Sequence, residues 1–366
     1  NWISDRCYFN IFLDYQMMRI FYSYLIKRSL YFSFFILIFF GLLDSVFNFI
    51  SELENISPQL SISKIFIYEM LSMPHNLVDF LEGACLLGVM IALGLSHQEG
   101  NLNVLRTAGA SPFKIILVSS IGAIFLAFSF ILFDEIIFKK TYLNAQANKN
   151  LLSEQITSTD KSFNWIRSGD SYLSFDDIID NKLYKVRLIQ TKDNQIIFSA
   201  TSNTAKISGD KIFLNEDASY KIFIDDFVQN SEVNFKIPIQ SKISLKNINH
   251  LNLKNINLFR QLFTESTLKE DVLFKAHLDK ALFTSIYKPI SIMVLILFFG
   301  SLIFTSLRDS NVGERIVISV LGAFIYKIFQ DLSIGIFISY GFPVLIGVLI
   351  PSILIIVLSF KSYQNI

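Results

Sequence analysis

The chain has 366 residues, 52% of them apolar and 37 of them Phe, with 32 Lys and Arg against 31 Asp and Glu, a net charge of +1 and a mean hydropathy of +0.47. That apolar content marks a membrane protein, and a charge so close to zero excludes the basic footprint of a nucleic-acid binder. With only Cys7, near the N-terminus, and Cys85, inside an apolar run, a disulfide framework is excluded as well.

Residues 1–17 lead into the pair Met17 and Met18, either of which suits a natural start, so this stretch is set aside as an extension. From Met18 a basic, aromatic beginning, RIFYSYLIKR, enters an apolar run over residues 30–50, long enough to cross about 30 Å of hydrocarbon. No small-residue cleavage site follows, so the run reads as a retained span rather than a signal peptide. A polar loop at 51–69 precedes a second apolar run at 74–95. Residues 96–112, SHQEGNLNVLRTAGASP, are then amphipathic: Leu102, Leu105 and Arg106 share one helical face, and Gly109, Ala110, Ser111 and Pro112 stop the helix. Taken alone this is an ordinary interhelical loop; its place in the chain makes it a helix lying on the membrane's cytoplasmic face. A third run follows at 113–137.

From Lys139 to about Lys275 polar residues alternate with Val, Ile, Phe and Tyr, as in YKVRLIQ, NQIIFSA, DKIFLN and YKIFID. This period of two, broken by Asn, Asp and Gly, predicts antiparallel strands with one buried face. Three more apolar runs close the chain at 287–304, 316–332 and 342–360. The expected fold is therefore a membrane α-helical protein of six spans, three on either side of an inserted all-β domain. Residues 18–138 carry the first three spans with the amphipathic helix at about 97–109, 139–275 the β domain, and 276–366 the last three spans.

Lys and Arg near the span ends orient this layout. Arg19, Lys27 and Arg28 place the N-terminus inside; Glu52, Glu54 and Glu69 outweigh Lys64 on the first outer loop; Arg106 and Lys114 return the next loop to the cytoplasm. The β domain then falls in the periplasm, Arg308 and Arg315 lie inside, and Lys361 ends the chain inside. Arg308 and Arg315, with Gly313, read as anchors of the turn before the fifth span.

Catalytic motifs are missing from the sequence. There is no GxxxxGK[ST] loop, no HExxH, no nucleophile elbow and no Cys/His ligand cluster, and His75, His97, His250 and His277 are scattered as surface or interfacial side chains are. A chain of this kind that moves something draws energy from an ion gradient or from a separate ATPase, and a cytoplasmic helix between two spans is a natural grip for the latter.

The stretch NLNVLRTAGASPFKI resembles the coupling segment of exporter permeases. Two families share that pattern. Permeases of the MacB and FtsX type place their extracytoplasmic domain between the first and second of four spans, whereas the LptF and LptG lipopolysaccharide-export permeases place a β-jellyroll between the third and fourth of six. The layout here is the second, and LRDSNVGERI, FQDLSIGIFISYGFPVLIGVLIPS, FNWIRSGDSYLSFDDI and ATSNTAKISGDKIFLNEDASY are similar to the same family, favouring its LptG branch.

The resemblance implies a bacterial inner-membrane permease that pairs with an LptF-like permease. It implies a dimer of an LptB-like ATPase holding the ATP and Mg, no cofactor on this chain, and lipopolysaccharide passed through stacked jellyrolls to an LptC-like bridge for outer-membrane assembly. It also implies that Leu102, Val104, Leu105, Arg106 and Gly109 couple to the ATPase, while Asn101 stands where the family has an acid and Glu99 lies nearby. The family's phosphate-binding lysines at the outer end of the first span are replaced by Asn48, Glu52 and Glu54, so Lys139, Lys140 and Lys149 become the candidate substitutes. Two other readings remain: a MacB or FtsX type mechanotransmitting permease, and a membrane-anchored envelope scaffold.

Charges inside a membrane are costly and so informative. Asp44, Glu82 and Lys327 each fall about 9–12 Å below the outer surface, with Asp331 one turn beyond Lys327. Lys327 is expected to pair with Glu82 or Asp44; proton coupling through Glu82 is the alternative. The small pairs Ala84 with Gly88 and Ala123 with Ala127 predict close helix packing.

Overall fold

The computed structural model describes residues 2–153, 165–168, 170–175, 177–179, 182–192, 195–208, 211–215, 218–222, 232–235, 248, 250–265, 272–305 and 312–364. The chain divides into two compact units, Asn1–Asp44, Met73–Ile137 and Asn252–Ile366 in one, and Ser45–Ser72 with Phe138–Leu251 in the other.

Among the described residues six helices are long and apolar enough to cross a membrane: α1 (Trp2–Glu52), α2 (Ile62–Gln98), α4 (Pro112–Phe133, continued below), α7 (Val272–Thr305), α8 (Val312–Ser339) and α9 (Val344–Gln364). A short α3 (Asn101–Thr107) lies between the second and third. At 1.5 Å per residue the 37 residues of α2 are more than enough to cross about 30 Å of hydrocarbon. Of its most apolar stretch α2 buries 78%, against 17% for α1 and 22% for α8. The second span is thus the most enclosed of the six.

Small residues decide how closely the helices approach. A Cβ on Gly88 of α2 would overlap the backbone of Ser33 on α1, and one on Gly122 of α4 would overlap the Ile26 carbonyl of α1. One on Gly300 of α7 would meet Ile116 Cγ2 of α4 at 2.7 Å. Ala84, Ala123 and Ala127 are fully buried in the same core, with Leu37, Leu81, Val89, Leu93, Ile115 and Leu295. Lipid offers no hydrophobic gain on helix contact, so this close approach is what makes dispersion sufficient.

Two boundaries differ from the sequence expectation. The third span does not stop at 137: after α4 the chain makes a single π-turn, Asp134–Phe138, and continues as α5 (Lys139–Ser153). KKTYLNAQANKNLLS is polar, which ends an apolar run without ending a helix. At the other side of the insertion α6 (Leu253–Glu265) is helical and α7 begins at Val272, its first turns carrying Lys275 and Lys280. Among the described residues the strands occupy Trp165 to Asn234.

Those strands are β1 (Trp165–Ser168), β2 (Ser171–Ser174), β3 (Asp177–Ile179), β4 (Lys182–Lys192), β5 (Gln195–Ser208), β6 (Lys211–Leu214), β7 (Ser219–Ile222) and β8 (Glu232–Asn234), every described pair antiparallel. The long β4 and β5 hairpin is the spine. Residues 182–184 of β4 pair with β3 while 187–190 pair with β2; residues 198–201 of β5 pair with β7 while 205–208 pair with β6.

Both spine strands change face between their halves. Leu183 is buried in the sheet core, and so are Val186 and Leu188, of the opposite parity; on β5, Phe198 and Ala200 give way to Ala205. Lys185 stands at the change with φ 52, a left-handed conformation that turns the strand over. Tyr184 consequently faces away from that core and packs on Ala147 and Leu143 of α5.

Candidate functional site

The bend between α2 and α4 is built from backbone geometry. Gly100, at φ 79, turns the chain out of α2, and its N–H donates to the His97 carbonyl at 3.0 Å. Gly109, at φ 87, turns it out of α3, with the Gly109 N–H on the Arg106 carbonyl and the Ala110 N–H on the Leu105 carbonyl, both 3.0 Å. Ser111 then caps α4 by accepting from the Lys114 N–H at 3.3 Å, and Pro112 takes the first helical position. The helix expected at about 97–109 is therefore Asn101–Thr107, because α2 runs through Gln98 and a left-handed glycine closes each end.

On α3, Leu102 and Leu105 are 0% and 1% exposed and belong to the core of the helical unit. They anchor the bend to its own protein rather than present it to another. Val104 points the other way, 43% exposed, flanked by the exposed Asn103 and Thr107, with Arg106 half-buried.

Glu99 sits between the last residue of α2 and Gly100. Arg28 of α1 grips it with two hydrogen bonds, Nη1 to Oε2 at 2.5 Å and Nη2 to Oε1 at 2.7 Å. Oε2 also accepts from Tyr24 Oη at 3.3 Å and from Asn101 Nδ2 at 2.8 Å. Arg28 Nη1 donates as well to Tyr24 Oη at 2.5 Å and to Ser96 Oγ at 3.3 Å. The Arg28 hydrogen bonds hold the Glu99 carboxyl below the ordinary carboxylate range. The acid before α3 thus has an intramolecular arginine, which counting Arg28 as one more positive charge near a span end did not reveal.

The candidate phosphate set is broken up. Lys139 is 3% exposed and donates to the Leu251 carbonyl at 3.1 Å, and Lys149 pairs with Glu52 while its ammonium lies 4.4 Å from the Tyr68 ring centroid. Glu52 further accepts from Asn55 Nδ2 at 3.2 Å. Lys140 and Glu54 are exposed and Asn48 is half-buried. A single headgroup cluster of the three lysines does not fit a continuous helix, on which adjacent residues diverge by about 100°, so Lys139 and Lys140 cannot share a face.

Lys327 does not meet the acids expected for it. Among the described residues its ion pair is with Asp331, at 3.8 Å one turn along α8, where the two side chains are 43% and 55% exposed. Similar depth puts charges at one level without turning their helix faces together. Glu82 is buried and Asp44 half-buried. A hydroxyl chain links the last three spans instead: Ser291 Oγ donates to Tyr326 Oη at 2.8 Å, and Tyr326 Oη lies 2.7 Å from Ser352 Oγ.

A further pair escaped the sequence reading. His75 Nδ1 lies 2.6 Å from Asp134 Oδ1, with side chains 10% and 6% exposed, so this histidine joins α2 to the π-turn rather than lying at the surface. The available signal was Asp134 itself, a carboxylate inside the third apolar run. Next to it Glu135 accepts from the Leu253 N–H at the start of α6. Gly313 is exposed near the start of α8, while Arg308 and the Arg315 side chain lie outside the described residues.

The family described as lipopolysaccharide export system permease LptF/LptG matches residues 23–364. Among curated relatives, the lipopolysaccharide export system permease protein LptG of Haemophilus influenzae is 24% identical over 325 residues, 86% of this chain and 90% of the relative. The protein of the same name from Escherichia coli K12 is 22% identical over 305 residues, 78% of this chain and 81% of the relative. With six apolar helices, a sheet inserted between the third and fourth, and a family match from the first span to the last, the chain belongs to the LptF/LptG family of lipopolysaccharide export system permeases.

Proposed function

We propose that this chain is the LptG-type subunit of an ABC exporter, taking lipopolysaccharide from the inner membrane and handing it to a periplasmic bridge while a separate ATPase hydrolyses ATP. The partners in this reading are an LptF-like permease, a pair of LptB-like ATPases and an LptC-like acceptor, with ATP and Mg held by the ATPase and no catalytic residue here. Both termini are cytoplasmic and the sheet periplasmic, which the distribution of Lys and Arg supports.

The observation that carries the reading is the α2–α3 bend. It is a short rigid helix with a glycine elbow at each end, seated by Leu102 and Leu105 and offering Val104 outward, as a mechanical input needs. Lys140, exposed on α5, is the lysine of the three that suits a headgroup phosphate.

Co-purification with LptB-, LptF- and LptC-like proteins, followed by an ATPase assay with and without lipopolysaccharide, tests the assignment. The expected result is a stable complex whose hydrolysis responds to the lipid. Capture of an unrelated ATPase points to the MacB or FtsX type, and capture of no ATPase to a scaffold.

A further inference from the structure

We propose that Arg28 and Glu99 are positioning residues that carry displacement of the α2–α3 bend into α1. The inference rests on the ATPase-driven reading above and adds the route by which the bend reaches a membrane span.

The first support is where the carboxylate stands. Glu99 lies at the elbow itself, and its oxygens meet α1 through Arg28 and Tyr24 and α3 through Asn101. Rotation of α3 about Gly100 therefore reaches Arg28 through the Asn101 amide, which donates to the same Glu99 oxygen that Arg28 Nη1 holds.

The second is the stiffness of the receiving end. Arg28 is 12% exposed, hydrogen-bonded to Tyr24 and Ser96 besides Glu99, and its guanidinium lies 5.3 Å from the Tyr24 ring centroid and 6.0 Å from that of Phe32. A guanidinium fixed on so many sides pulls its own helix rather than swinging on its stem.

The third is the freedom of the driving end. Gly100 and Gly109 both have positive φ, and the space where a Cβ would stand is open at each. Two ties hold α3. Leu102 and Leu105 supply apolar contact, which is non-directional and tolerates sliding. The Asn101 hydrogen bond to Glu99 crosses the Gly100 elbow, and the two-pronged pair of that carboxylate with Arg28 has a fixed geometry that does not slide.

The fourth is the span that is moved. Of its most apolar stretch α1 buries 17%, the least of the six candidate spans, so its contacts within this chain are confined to one narrow stripe. The Arg28 tie falls within the turns of α1 that press against Gly122 and Gly88 through Ile26, Ser29 and Ser33. Shape holds the helix there against α2 and α4, and charge holds it to the bend.

The test uses the whole exporter complex in proteoliposomes, reading ATP hydrolysed and lipopolysaccharide released in parallel for the wild type, Arg28→Gln, Glu99→Gln and the double variant. Transmission predicts complexes that assemble and hydrolyse ATP at near the wild-type rate while release per ATP falls about tenfold, within the usual range of coupling energies. The double variant should lose no more than the worse single one, because the two residues act as one link. Release per ATP unchanged from wild type, release and hydrolysis falling in proportion, or losses that multiply in the double variant each overturn the inference. If the Gln variants fail to assemble, Tyr24→Phe decides: it keeps both charges and removes one brace, and wild-type release per ATP there makes the pair merely structural. A wild-type chain that recruits no ATPase removes the permease reading itself, which is a different outcome from a working exporter indifferent to these substitutions.

Discussion

At the scale of single residues, two apolar side chains on the same short helix have different work. Leu102 is sealed in the core, so Leu102→Ala should destabilise the purified chain by about 2–5 kcal/mol, measured as a drop in its thermal midpoint in detergent. Val104 is exposed, so Val104→Asp should leave that midpoint unchanged and lower ATPase co-purification. Glu99 gives a sign-specific pH dependence. Its folded carboxyl lies below its ordinary value of 4.5, so the stabilisation from its ion pair is complete above that value and fades as the pH falls through the depressed one. The gap in thermal midpoint between wild type and Glu99→Gln should stay constant from neutral pH down to about 4.5 and close below it. A gap that began to close above pH 5 would mean that Arg28 does not hold the carboxylate in solution.

Between elements, the decisive quantity is the distance at which backbones pass. Gly88 and Gly83 are both on α2, but a Cβ on Gly88 meets the Ser33 backbone while one on Gly83 meets nothing within 4 Å. Gly88→Ala should therefore cost about 1–3 kcal/mol by forcing α1 off α2, and Gly83→Ala should be neutral or gain up to about 1 kcal/mol from helix propensity; thermal midpoints of the two variants check the contrast. In the sheet, Lys185 holds the left-handed conformation at the face change of β4, so Lys185→Val should lower stability more than Lys185→Gly does. The alternation of polar and apolar residues made the strands legible, but a pattern of period two is silent about where a strand changes parity. That was settled by the φ of one lysine. Likewise the polar α5 looked like part of the sheet domain because hydropathy marks the edge of lipid and not the end of a helix.

For the whole molecule, a map of sidedness is the broadest check. Cysteines placed at Thr107, on the bend, and at Ile196, 47% exposed on β5, should label from opposite sides, the first only after the inner membrane is permeabilised. The sequence by itself determined six spans, their three-plus-three arrangement about a β insertion, the position in the chain of the bend after the second span, and the family. These depend on composition, periodicity and order, which are local and survive without coordinates. Tertiary structure alone decided the partners of the charges: Arg28 with Glu99, His75 with Asp134, Lys149 with Glu52, and Lys327 with Asp331 rather than with Glu82 or Asp44. Which acid a given base meets depends on the rotation of each helix about its axis and on how closely neighbouring backbones approach. Rotation and approach are set jointly by small residues on two helices at once, information that no single stretch of sequence contains.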